Sequence, residues 1–135
     1  MAEFRRAGDE QVNVFEVDEM FLFKHYFDGE NVFDRLKRYY NSQHYRFEVP
    51  AGAFEDLRLF LAEHGYGLVV VDAVAEFAVV VKKYTQHPEN IFNGSVIHRS
   101  VDGYNCFLMA DQAAVDRATR EGAIRLTETA FENPF

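Results

Sequence analysis

Two stretches of this chain, RFEVPAGAFEDLRLFLAEHGYGLVV and CFLMADQAAVDRATREGAIRLTE, pass through the same succession of strand, helix, glycine and strand. Strands repeat every two residues and helices every 3.6, so hydrophobic spacing separates the two. In the first stretch Phe54, Leu57 and Leu61 form one helical stripe, widened by Ala53 and Phe60. Gly65 stands where that helix can end in the left-handed conformation. In the second, Asp111 occupies an N-cap position and the helix runs on to Gly122. Two such units built around antiparallel hairpins place their helices on one face of a mainly antiparallel sheet. The expected fold is therefore α+β, a ferredoxin-like or related two-layer sandwich.

The remaining elements follow from turn chemistry. SVIHRSV and YNCFLM flank Asp102-Gly103, a pair suited to a two-residue hairpin turn with positive φ at both central positions. That turn sets Val101 against Tyr104, Arg99 against Cys106, His98 against Phe107 and Ile97 against Leu108. Strands are expected at VNVFEV (12–17), MFLFKHYF (20–27) and HYRFEV (44–49), the last stopped by Pro50. In the second of these Phe21, Phe23, His25 and Phe27 share one face. DGEN introduces a helix with Val32, Phe33, Leu36 and Tyr40 on its apolar side. GLVVVD (67–72) reads as a buried strand, and its short link to EFAVVVKKY (76–84) suggests a hairpin. QHPENIFNG reads as a loop or one helical turn, and AIRL as an edge strand.

A chain of 135 residues has the length of one globular domain, 1–135, with loose termini expected at about 1–11 and 128–135. Its single cysteine, Cys106, cannot form an internal disulfide, which suits a reducing compartment. No apolar run reaches the ~18 residues of a membrane helix, and none follows the N-terminal arginines as a signal peptide would. A cytoplasmic protein with no membrane partner is expected. The net charge is −8, with four Lys beside ten Arg, a balance suited to the salt-rich cytoplasm of a halophile. Such acidity opposes general nucleic-acid binding while allowing a local basic patch.

Glycine-rich phosphate loops, CxxC pairs, closely spaced histidines and a GxSxG elbow are all missing from the sequence, so no cofactor and no metal site is expected. Three readings of function remain. The leading one is a non-enzymatic binding or assembly module, homodimeric and open to a small-molecule ligand. Its candidate ligand residues lie in and after KKYTQHPENIFNG: Lys83, Tyr84, His87, Glu89, Asn90, Asn93 and His98. An alternative makes the same region a small enzyme in which His87, Glu89 and His98 exchange protons. A third takes RLKRYYNSQHYR, four cations and three tyrosines without a carboxylate, as a single-stranded RNA site using Arg35, Lys37, Arg38 and Tyr39. Against it, cations collect at helix C-termini for dipole reasons alone. Finally, Arg99 opposite Cys106 would favour the thiolate.

Overall fold

Val12 and Val14 point to one side of strand β1 (Glu10–Val17), and with them begins the first of two units, Met1–Val71 and Asp72–Phe135. The computed structural model describes residues 10–83 and 89–135. In the first unit β1 is followed by β2 (Met20–Phe23), α1 (Glu30–Leu36), β3 (Tyr40–Asn41), β4 (Arg46–Pro50), α2 (Ala51–Glu63) and β5 (Tyr66–Val70). The strand order is β3-β4-β2-β1-β5, with β1 and β5 parallel and the other neighbours antiparallel. Val32 and Leu36 of α1 and Phe54, Leu57 and Leu61 of α2 are buried against Val12, Val14, Phe23, Phe47, Val49 and Leu68. Both helices thus cover one face of the sheet, as their stripes dictate.

The second unit runs β6 (Ala78–Lys82), α3 (Glu89–Asn93), β7 (Ser95–Val101), β8 (Tyr104–Met109), α4 (Gln112–Arg120) and β9 (Ile124–Arg125). Its order is β7-β8-β6-β9, antiparallel throughout. Ile91 of α3 and Ala114, Val115 and Ala118 of α4 pack on Val79, Val81, Phe107 and Met109. The Asp111 carboxylate caps α4 by accepting from Ala114 N–H at 2.8 Å.

Numbered within the unit, that order is 2-3-1-4, the split βαβ arrangement of the ferredoxin-like fold. The first unit has the same topology. There β2, β3, β4 and β5 correspond to β6, β7, β8 and β9, and β1 is an extra strand between the first and the fourth. The correspondence reaches side chains: Phe23 pairs with Phe47 as Val79 pairs with Phe107, and Tyr40 pairs with Phe47 as His98 pairs with Phe107. Gly65 and Gly122 close the two returning helices at φ 90° and 107°. The sequence echo is therefore half of a longer repeat.

Several expectations change. The hairpin between GLVVVD and EFAVVVKKY does not form: β5 pairs with β1, β6 pairs with β8 and β9, and a 3-10 turn (Val74–Phe77) separates them. Because β5 lies at a sheet edge, Val69 and Val70 are exposed. An apolar run does not distinguish an edge strand from a central one. The strand at MFLFKHYF stops at Phe23, and the chain then turns so that Phe27 still reaches Phe23, Phe47 and Tyr66. Helix α1 ends at Leu36 in a 3-10 turn (Lys37–Tyr39), which moves Tyr40 off the helix and into β3, while Phe33 is exposed. The Asp102-Gly103 hairpin has the expected register, with a bulge between Ser95 and Ile97. Asp102 takes φ 51°, and Gly103 is not in the left-handed region. By contrast, Asp18 and Glu19, which join β1 to β2, both have positive φ, at 53° and 66°. That is the signature of a type I′ turn made without glycine.

Candidate functional site

The basic-aromatic segment 35–46 folds as the end of α1, a 3-10 turn and the β3–β4 hairpin, and the fold separates its cations. The Arg35 guanidinium lies 4.8 Å from the centre of the Phe60 ring on α2, a cation–π contact. Lys37 Nζ is 3.5 Å from the Asp34 carboxylate, one helical turn back. Arg46 Nε donates to Glu48 Oε2 at 2.8 Å. Arg38, like Arg35, has no carboxylate partner or hydrogen bond among the described residues; its guanidinium sits 6.0 Å from the Tyr39 ring centre.

Arg38 and Tyr39 line an open cleft of about 410 Å³ together with Met20, Tyr40, Asn41, Ser42, Gln43 and Glu48. The cleft exists because β3 is two residues long: it pairs with Phe47 and Arg46 and leaves the rest of β4 without an outer neighbour. Its floor is braced. Glu48 Oε2 accepts from both Arg46 and Asn41 Nδ2, the latter at 3.1 Å. Asn41 Oδ1 accepts from the backbone N–H groups of Gln43 (2.9 Å) and His44 (3.2 Å), closing an Asx turn. Tyr40 rests edge-on against Phe47, with ring centres 5.0 Å apart. Tyr45 holds φ 54° at the end of the hairpin loop with its ring exposed. By contrast, the Arg38, Ser42 and Gln43 side chains make no hydrogen bond among the described residues, so their donors and acceptors face the cleft or solvent. Just after β2, burial and then the Arg46 charge hold the Lys24 ammonium below its usual pKa.

The residues expected around 83–98 are only partly brought together. Tyr84 and His87 lie outside the described residues, and Glu89 and Asn90 are placed as part of α3. Asn93 ends that helix, exposed. Lys83 follows β6, where its backbone N–H donates to Gly103 O at 2.8 Å. His98 lies on the helix-bearing face of β7, stacked on Phe107 with centres 4.7 Å apart and with Phe92 edge-on. His98 Nε2 is 3.0 Å from Asn105 Oδ1, which also accepts from Ser100 Oγ at 3.1 Å. Apart from Phe92 of α3, the neighbours of His98 are thus hairpin residues, and Asn105 and Ser100 were not among those expected. Their register opposite one another was the available signal.

A second cavity, of about 470 Å³, is lined by Glu76, Phe77, Gln112, Arg125 and Thr127. Two of its polar side chains are engaged: Gln112 Nε2 donates to Glu76 O, and Arg125 reaches both Gln112 Oε1 and the Asp116 carboxylate.

Cys106 pairs with Arg99 as expected, but the thiol is buried, and burial raises its pKa rather than lowering it. The thiol form is therefore favoured in the folded protein. That contribution to stability is present below the unfolded-chain pKa and is lost as pH rises through the elevated folded value. Native protein at pH 8 should react with a maleimide at least tenfold more slowly than urea-unfolded protein, as read by mass spectrometry. Equal rates would mean that the thiol is reactive in the fold.

Among the described residues no helix is long and apolar enough to cross a membrane. No family model, no curated protein and no solved structure matches this chain.

Proposed function

We propose that this protein is a non-catalytic binding module, and that its ligand site is the cleft beside β3. The observation that carries the reading is a braced floor, Arg46–Glu48–Asn41, beneath side chains with unused hydrogen-bonding groups, Arg38, Ser42 and Gln43. Binding sites need this combination of rigid support and free recognition groups. The RNA alternative is weaker, because Arg35 and Lys37 are engaged elsewhere and a polyanion needs several cations along its path. The enzyme alternative rests on His87, which lies outside the described residues, and on Glu89.

The reading is tested by thermal shift with a small-molecule fragment panel on wild type and on Tyr40→Ala with Gln43→Ala. Fragments that raise the wild-type midpoint should lose most of that effect in the double variant. Stabilisation untouched by both changes would place the ligand elsewhere.

The module is further proposed to act in the cytoplasm as a homodimer. Large apolar side chains left exposed on the two helices of the first unit, Phe33 at 59% and Leu59 at 52%, support that part. Sedimentation equilibrium at micromolar concentration should give twice the chain mass of 15.6 kDa. A clean monomer mass removes the dimer and leaves the cleft unaffected.

A further inference from the structure

We infer that the cleft beside β3 takes a planar ring bearing an anionic group, with the anion on Arg38 and the ring against the tyrosines. This rests on the cleft being the ligand site. Two ionisable side chains of opposite sign line it, Arg38 and Glu48. Glu48 is already opposed by Arg46 at 2.8 Å and bonded by Asn41. Arg38 has no such partner among the described residues. The cleft therefore carries a local positive excess on a chain whose net charge is −8. An anion is drawn to it, and a cation is repelled by the one charge left free. A guanidinium presents a planar fork that matches a carboxylate or phosphate in two parallel hydrogen bonds.

The shape of the ligand follows from the other lining groups. Tyr39 and Tyr40 supply ring faces and edges, and Tyr40 is held in place by Phe47 while remaining 44% exposed. Aromatic stacking of this kind tolerates any flat ring. Ser42 Oγ and the Gln43 amide remain for the ring's polar edge. The volume, about 410 Å³, is that of a site for one small molecule. A single free cation likewise suits one anionic group rather than a chain of phosphates. A nucleoside monophosphate and an aromatic carboxylate both meet this description, and they differ in the charge and size of the anion.

Isothermal titration of the full chain with adenosine monophosphate, indole-3-carboxylate, adenosine and inorganic phosphate separates the terms. At least one of the two ring-bearing anions should bind tenfold or more tightly than both adenosine and phosphate. Whichever binds more tightly identifies the source. Arg38→Ala should weaken that ligand at least tenfold, Arg38→Lys should recover part of the loss, and Lys37→Ala should change nothing. Amide shifts recorded in parallel keep the two levels apart. If uncharged fragments shift the amides of residues 38–43 as strongly as the anions do, with or without Arg38, the cleft stands as a site and the anionic specificity is overturned. If no probe shifts those amides, both fail.

Discussion

Phe107→Ala is expected to cost about 3–5 kcal/mol, the range for removing a buried aromatic ring and leaving its cavity. Phe107 is 0% exposed and stands at the centre of the second unit. Its ring meets His98 at 4.7 Å and Phe92 at 4.9 Å, and on the neighbouring strand it pairs with Val79. No small side chain can follow the ring into that space, because β6, β7 and β8 hold their spacing through the backbone ladder. Urea denaturation monitored by circular dichroism should show the loss as a lower midpoint, and His98 should lose its stacking partner. Phe92→Ala makes the control. Phe92 is 43% exposed, so its removal should cost markedly less. Equal effects of the two substitutions would mean that the ring packing around His98 is wrongly described.

The second large effect concerns glycine conformation. Gly65→Val should destabilise by about 1–3 kcal/mol, since Gly65 has φ 90° and a β-branched residue resists that region. A Cβ at Gly65 meets nothing within 4 Å, so the cost is backbone strain rather than a clash. Gly103→Val, which turn chemistry alone would rank as equally harmful, should cost less than about 1 kcal/mol. Gly103 is outside the left-handed region, and a Cβ there also meets open space. The paired urea midpoints check this directly, and a Gly103 variant as damaged as the Gly65 variant would contradict the turn geometry.

These two glycines show what the sequence could and could not convey. The helix stripe Phe54–Leu57–Leu61, the Asp111 cap and the facing of His98 with Phe107 were all legible, because each depends on residues close in the chain or joined by one short turn. The conformation of Gly103 was not: positive φ was expected at both turn positions, and of the two only Asp102 has it. Strand neighbours were the larger loss. GLVVVD would suit several places in a sheet, and only β1, more than fifty residues earlier, determines that it lies parallel at an edge. The extra strand β1 itself hid the duplication, because the echo covers the second half of each unit and the first halves differ in length.

The cleft was half legible. Arg38 and Tyr39 stood out in RLKRYYNSQHYR, yet the sequence grouped them with Arg35 and Lys37, which the fold directs to Phe60 and Asp34. Met20 and Glu48 come from other strands, so no local pattern could have placed them beside Arg38. Asn41 could be read only as a turn residue. Its bond to Glu48 depends on the pairing of β3 with β4.

The most direct measurement is a ¹⁵N–¹H correlation spectrum recorded while adenosine monophosphate or indole-3-carboxylate is titrated into the labelled chain. The largest concentration-dependent shifts should fall on residues 38–43, with Met20 and Glu48 following from the neighbouring strands, while the amides of Lys83, Asn93 and His98 stay in place. Shifts centred instead on Lys83, Asn93 and His98, with 38–43 unmoved, would contradict the assignment of the cleft beside β3 as the ligand site.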